Sequence, residues 1–131
     1  MGFAVPAAVA AARHGLAVAI TGDGGMAYGA FELETAVRLG ARVMVVVIDD
    51  ASLSLIRIKH EAKGHARSSL DFGPVAFDAL AAGLGVAGFT ADDEASLRSA
   101  IRDALGVGGP ALIDARLSGA EYARTIEVVR G

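Results

Sequence analysis

Three aspartates follow two apolar runs of this 131-residue chain and could do chemistry together. They are Asp23, in the glycine turn GDGG after the run 16–21, and Asp49 and Asp50, after the run 42–48. The residues between the runs have the pattern of a helix, so the stretch predicts a strand, turn, helix, strand unit. Such a unit sets the carboxyl ends of its two parallel strands side by side, which would bring the acids to one crevice.

Three interpretations of the glycine turn are open on the residues alone. The first is a tight turn without a ligand, because glycine and aspartate are common in turns. The second is a dinucleotide site, since Gly22 and Gly24 open a helix after a strand and an acid follows at about the spacing that holds a ribose. The third is a site for a diphosphate that is bound through a divalent metal ion.

Asp23 weighs against a simple dinucleotide site. Its carboxylate would stand inside a loop meant to cradle a pyrophosphate, where like charges repel. A Mg²⁺ ion removes that conflict, because Asp23, a carboxylate of Asp50, a nearby backbone carbonyl and two phosphate oxygens nearly complete its octahedral shell. The glycines let the backbone approach the anion, and the helix from Gly25 directs its N-terminal dipole toward it.

The rest of the chain alternates between helix and strand. We predict helices over 2–14, from Gly25 to Gly40, over 72–84 and over 92–105 with Asp92 or Thr90 as cap; strands over 16–21, 42–48, 86–90 and 111–117; a turn and short helix over 51–59; and a surface loop over 60–71. This order predicts a three-layer α/β fold with a mostly parallel sheet of about four strands and helices on both faces. The first two strands should be adjacent and buried. No strand precedes the first helix, so the fold is expected to be truncated at its N-terminus.

Composition excludes several classes of protein. With 53% apolar residues and a mean hydropathy of +0.49, the chain can bury the core of one domain. It has no cysteine, hence no disulfide or thiolate metal site, and no signal-like start, which predicts a cytoplasmic setting. A net charge of -3 with scattered basic residues argues against nucleic acid as a partner, and no apolar run is long enough to span a membrane.

Several segments together carry a resemblance to a known family. They are GDG at 22–24, ELETAVR at 32–38, the apolar strand with the polar pair at 49 and 50, MGFAVPAA at 1–8 and GPALI at 109–113. These segments resemble the C-terminal domain of thiamine diphosphate-dependent enzymes such as acetolactate synthase, and they extend over nearly the whole chain.

The resemblance implies the thiamine diphosphate-binding fold, with thiamine diphosphate and Mg²⁺ as cofactors. The implied metal ligands are Asp23, Asp50 and the backbone carbonyl of Ser52, which with Gly22, Gly24 and Gly25 form the implied cofactor-binding set. It implies no catalytic residue here, because the family's activating glutamate and cofactor-bending wedge belong to other segments. Residues 1–131 are therefore expected to be a single domain of a larger enzyme, inactive alone, with a pyrimidine-binding domain or subunit and further copies of itself as partners.

Three positions depart from the family's pattern. Asp49 and Asp50 replace the usual Asn-Asn pair, and only one of them should be a ligand, since successive strand residues face opposite ways. Ile56 stands where the pyruvate decarboxylase branch has a glutamate, which favours acetolactate synthase-like carboligation or another 2-oxo acid reaction. The expected class is thus a transferase or 2-oxo acid lyase. The alternatives are a nicotinamide dinucleotide-binding Rossmann-like domain and a non-catalytic structural domain.

Overall fold

A computed structural model describes residues 1–65, 70–71 and 73–119 of the chain. In chain order the elements are α1 (Ala4–Ala11), a 3-10 turn (Ala12–His14), β1 (Ala17–Gly22), α2 (Asp23–Gly29), α3 (Glu32–Arg38), β2 (Val43–Asp49), α4 (Ser54–Glu61), α5 (Phe77–Gly83), β3 (Ala87–Ala91), α6 (Glu94–Gly106) and β4 (Ala111–Arg116). The four strands form one sheet in the order β1-β2-β4-β3, and each neighbouring pair is parallel. The predicted α/β fold is confirmed.

Helices cover both faces of this sheet and make three layers. The larger core joins α1, α2, α3 and α5 to one face, with fully buried side chains such as Met26, Leu33, Val45 and Phe77. A smaller core packs α6 on the other face, around Ile113 of β4. β2 contributes alternate residues to the two cores, which is why its continuous β-branched run suits a central strand.

β1 is adjacent to β2 as predicted, but the prediction that it is buried is wrong. It lies at one edge of the described sheet, with Ala17 opposite Val43. Ala19 is buried in the core beside α1, whereas Val18 and Ile20 point to the other face and are 51% and 68% exposed. The physical reason is that α6 packs on β3 and β4, so within the described residues it leaves this face of β1 open.

The helix predicted from Gly25 to Gly40 is two helices. α2 begins at Asp23 itself, so the acid lies in the first helical turn rather than in a loop before it. At the junction the backbone makes tighter bonds of the 3-10 type, such as Leu33 N to Ala30 O at 3.1 Å, which separate α2 from α3. Gly29 ends α2 where α1 crosses closely, since a Cβ there would lie 3.4 Å from the Cβ of Val5.

Several predicted boundaries after β2 shift. α4 confirms the short helix but extends to Glu61, into the predicted loop, and the end of that loop is anchored: the Leu70 carbonyl accepts a hydrogen bond from Leu53 N at 2.8 Å. α5 begins at Phe77, five residues later than predicted, because Pro74 disfavours helix before it. Residues 66–69, residue 72 and the tail from 120 onward lie outside the described residues.

The N-terminal cap of α6 is Asp93, not Asp92 or Thr90. Its side chain accepts a hydrogen bond from Ser96 N at 2.7 Å, while the Ser96 hydroxyl accepts from Asp93 N at 3.1 Å. This reciprocal capping box satisfies two backbone donors, which explains why the helix begins later than predicted. None of the described helices has the length and apolarity that crossing a bilayer requires.

Candidate functional site

The carboxyl ends of β1 and β2 bring the predicted ligands together. Gly22, the last residue of β1, lies opposite Ile48, so the residues that follow both strands meet at the same end of the sheet. A cavity of about 630 Å³ opens there. Its lining includes all six predicted cofactor-binding residues: Gly22, Asp23, Gly24, Gly25, Asp50 and Ser52.

Asp23 is the most enclosed acid of the cavity, at 4% exposure. Its Oδ1 accepts a hydrogen bond from Gly24 N at 2.6 Å, and its Oδ2 accepts one from Ser52 N at 3.2 Å. Burial raises the pKa of Asp23 above its ordinary value, and the charges of Asp50 and Asp49 raise it further, against the lowering effect of the two backbone donors. A cation beside this carboxylate would offset both the burial and the repulsion.

Two glycines keep the floor of the cavity free of side chains. A Cβ on Gly24 would lie 2.7 Å from Cδ2 of Leu53, and a Cβ on Gly25 would collide with Oγ1 of Thr21. Side chains at these positions would therefore displace neighbours that line the same cavity. Backbone without side chains at this point allows an anion to approach the start of α2.

The two acids at the carboxyl end of β2, Asp49 in the strand and Asp50 directly after it, face different surroundings. Asp50 lines the cavity and is half-buried. Asp49 is 5% exposed, and its Oδ1 accepts a hydrogen bond from Ala51 N at 2.9 Å. Its charge raises the pKa of Asp114 on the neighbouring strand β4, after the larger effect of burial there. The geometry favours Asp50 over Asp49 as a ligand for a group in the cavity.

Ser52 contacts Asp23 through its backbone N–H group. The chain reaches this position through Ala51, which has a φ of 55°, a left-handed conformation that is uncommon for a residue with a Cβ. The Ser52 hydroxyl donates to Asp71 Oδ1 at 2.7 Å, and the two residues form an antiparallel bridge. This strained bend holds the backbone of Ser52 against the cavity, where its carbonyl is the predicted third ligand.

The donor set suits Mg²⁺ that also binds phosphate oxygens. Carboxylates are the hard oxygen ligands that this ion prefers, and Asp23 and Asp50 supply two of them. In the described ranges, no three His, Cys, Asp or Glu side chains are close enough to form a complete metal cage. Mg²⁺ commonly has few protein ligands and completes its shell with water and substrate phosphates, so this arrangement fits the ion.

The sequence did not reveal the residues that hold Asp50 through hydrogen bonds. Asp50 Oδ2 accepts a hydrogen bond from the Ser54 hydroxyl, which accepts one from Arg57 Nη2 at 3.2 Å. The only signal in the sequence is the spacing of Arg57 and Glu61, four residues apart on one helix. The apolar rim of the cavity was also missed apart from Ile56, and it includes Phe3, Ile20 and Leu55.

Comparison with known proteins identifies the family of this chain. Residues 1–115 match the family described as "Thiamine pyrophosphate enzyme, C-terminal TPP binding domain". The catabolic acetolactate synthase of Raoultella terrigena is 34% identical over 116 residues, which are 86% of this chain and 21% of that protein. The acetolactate synthase of Bacillus subtilis (strain 168) is 32% identical over 97 residues, which are 74% of this chain and 17% of that protein.

A solved structure supports the fold. The thiamine diphosphate-dependent 4-hydroxybenzoylformate decarboxylase of Rhodococcus jostii RHA1 superposes with a TM-score of 0.84 at 26% identity, over 90% of this chain and 23% of that one. The chain thus spans about a fifth of the length of the curated relatives given above. The family match covers most of the chain, so the chain belongs to the thiamine pyrophosphate enzyme family as a C-terminal TPP-binding domain, whose cofactor is thiamine diphosphate with Mg²⁺.

Proposed function

We propose that this chain binds the diphosphate of thiamine diphosphate through Mg²⁺, as part of an acetolactate synthase-like enzyme that converts 2-oxo acids. The observation that carries the proposal is the meeting of Asp23 and Asp50 at one cavity with a glycine floor. In this proposal the two carboxylates and the Ser52 carbonyl hold the ion. When bound, Mg²⁺ supplies charge that anchors the diphosphate, and thiamine diphosphate supplies the carbon at which a 2-oxo acid reacts.

The chain's own groups would act by binding and orienting. Hydrogen bonds from Gly24 N and Ser52 N fix both oxygens of Asp23, so a ligand meets a carboxylate that is already oriented. Gly22, Gly24 and Gly25 leave room for the diphosphate beside the start of α2. We assign no proton-transfer step to this chain.

Carboligation rather than simple decarboxylation is the proposed reaction of the whole enzyme. Ile56 lies on the rim of the cavity and is 42% exposed. An isoleucine cannot donate or accept a proton, so this position provides no acid to protonate a released product. The similarity to two acetolactate synthases supports the same choice.

We propose that the catalytic half belongs to another domain or subunit. The chain covers about a fifth of its curated relatives, so residues 1–131 would be one domain of a larger cytoplasmic enzyme. Its partners would be a pyrimidine-binding domain or subunit and further copies of the same chain. Exposed apolar side chains beside the cavity support a partner there, among them Met1, Phe3 and Ile20 at 78%, 81% and 68% exposure.

Calorimetric titration of the 131-residue chain tests the proposal. We expect thiamine diphosphate to bind in millimolar Mg²⁺ and to lose its affinity in EDTA, because Asp23 and Asp50 repel a diphosphate without a cation. A nicotinamide dinucleotide site would bind NADH equally well in both buffers. Equal thiamine diphosphate affinity with and without Mg²⁺ would contradict the metal anchor, and pyruvate turnover by the chain alone would contradict the separate catalytic half.

A further inference from the structure

We infer that Arg57 is a positioning residue for the metal site: through Ser54 it orients Asp50 and offsets part of the negative charge of the neighbouring aspartates. The inference deepens the proposed function and rests on it. Nothing in the sequence motif names Arg57 or Ser54, and Arg57 is not among the residues that line the cavity in the described part of the chain. It would act through another side chain and not by touching the cofactor.

The hydroxyl of Ser54 connects the guanidinium to the carboxylate. Its single proton is donated to Asp50 Oδ2, and its oxygen accepts an N–H of Arg57 at 3.2 Å. The hydroxyl thus donates one hydrogen bond and accepts another, which restricts its rotation and strengthens its bond to the carboxylate. The bond to Oδ2 limits the rotation of the Asp50 carboxylate, which therefore keeps one orientation toward the cavity that it lines.

The guanidinium itself is held in place. The Arg57 side chain is 15% exposed, its Nη1 lies 3.5 Å from Glu61 Oε1, and its Nε lies 3.9 Å from Asp71 Oδ1. A half-buried arginine with contacts on several sides keeps its direction better than a free surface side chain. Its position relative to Ser54 is therefore a fixed feature of α4.

The same guanidinium is linked to the second acid of the site. Asp71 Oδ1 accepts the Ser52 hydroxyl at 2.7 Å, and Ser52 N donates to Asp23 Oδ2 at 3.2 Å. The contacts therefore form a chain through six residues: Asp23, Ser52, Asp71, Arg57, Ser54 and Asp50. Both predicted carboxylate ligands are thus linked by contacts to the guanidinium of Arg57, which lies outside the lining of the cavity.

Charge explains why a cation is needed at this place. The lining of the cavity includes two carboxylates, Asp23 and Asp50, and the described residues that line it include no Lys, Arg or His. Gly119 covers the network, since a Cβ there would lie 2.5 Å from Asp50 Oδ2 and 3.2 Å from Arg57 Nη2. Backbone packed this closely excludes water from the contacts between Asp50, Ser54 and Arg57. The charges of Asp50 and Arg57 are therefore screened less.

The test is a double-mutant cycle read out by binding. Thiamine diphosphate is titrated calorimetrically into the 131-residue chain in millimolar Mg²⁺. We expect Arg57→Gln to weaken binding about tenfold, the usual effect of losing a charge-assisted hydrogen bond. In an Asp50→Asn background, where the carboxylate charge that Arg57 reaches through Ser54 is absent, the same change should cost about twofold or less.

Three further variants keep the test independent of folding defects. Ser54→Ala removes the connecting hydroxyl and should weaken binding in the same direction as Arg57→Gln. Arg57→Lys keeps the charge without the planar fork and should recover part of the lost affinity. Arg98→Gln is the matched control, because Arg98 is an exposed arginine on α6 that also pairs with a glutamate four residues away, and it should leave binding unchanged.

The outcomes separate the inference from the proposed function. Mg²⁺-dependent binding by the wild-type chain, with unchanged affinity in Arg57→Gln and Ser54→Ala, would overturn the inference and leave the proposed function standing. Equal losses from Arg57→Gln in the wild-type chain and in the Asp50→Asn variant would overturn it too, since the arginine would then serve folding only. Absence of Mg²⁺-dependent binding in the wild-type chain would overturn the proposed function and the inference together.

Discussion

Replacing Asp23 should abolish most of the stabilisation that the cofactor gives to the fold. At a thiamine diphosphate concentration of about 100 times Kd, in millimolar Mg²⁺, the wild-type chain should gain about 2.7 kcal/mol in its free energy of unfolding. Asp23 is 4% exposed and is one of two carboxylates on the cavity. Removing one partner of a buried charge pair costs about 3–5 kcal/mol, so Kd should rise at least about a hundredfold.

At the same ligand concentration the variant should then gain only about 0.4 kcal/mol. The assay is thermal unfolding with and without ligand, and the measured quantity is the ligand-induced difference, because each variant also changes the unliganded fold. Asp23→Ala leaves the N–H groups of Gly24 and Ser52 without their acceptor, whereas Asp23→Asn keeps the shape of the side chain. A ligand-induced gain near the wild-type value in both Asp23→Ala and Asp23→Asn would refute the assignment of Asp23 as a metal ligand.

Three other outcomes follow from the described contacts. Gly25→Ala should weaken Mg²⁺-dependent thiamine diphosphate binding, because its Cβ collides with Thr21 Oγ1 on the cavity floor; calorimetry that shows wild-type affinity would contradict the tight floor. Burial raises the pKa of Asp114, so its stabilising contribution is fully present below its ordinary pKa near 3.8 and is lost as pH rises through the raised value. Urea unfolding across this pH range should show this loss of stability in the wild-type chain and not in Asp114→Asn. Parallel pH dependences of the free energy of unfolding in the two proteins would contradict the prediction. Hydrogen bonds from Ser96 lower the pKa of Asp93, so the stability that its cap gives is present above the ordinary pKa and lost as pH falls through the lowered value; Asp93→Ala should lower the urea midpoint at neutral pH and remove that acid-side dependence.

The convergence of the two acids could be predicted because it depends on local pattern and on chain topology. An apolar run followed by Asp23 and a second followed by Asp50, with one helical stretch between them, place both acids at one end of a parallel sheet. Assigning these acids to the ends of two predicted strands requires no knowledge of side-chain packing. This is why the predicted site residues and the cavity coincide.

The side chains that orient the two acids could not be predicted, because their contacts depend on packing between distant segments. Arg57 reaches Ser54 only once α4 has its observed orientation, and Asp71 meets Ser52 only because the chain returns to form a bridge. No rule of residue spacing predicts that a distant segment folds back to form such a bridge. The exposure of Val18 escaped prediction for a related reason, since an apolar strand pattern does not say which helix will cover each face.

The strand order also implies an order of assembly for the domain. Ala17 pairs with Val43 and Ala87 with Ala111, each across about 25 residues, whereas Met44 pairs with Ala111 across about 67. Each doubling of a closed loop costs about 0.6 kcal/mol of chain entropy, so the central β2–β4 contact is costlier than either outer one by about 0.9 kcal/mol. Two strand, helix, strand halves should therefore form first and then dock.

Because of that order, the candidate site and the central part of the sheet form at different stages of folding. Both acids of the candidate site follow strands of the first half, so their approach is set by the earlier and cheaper loop closure. Docking of the second half then places β4 beside β2, with Asp49 opposite Arg116, and completes the burial of the strand from which Asp50 projects. The candidate site is thus formed by the early half of the domain, and the late half makes it rigid.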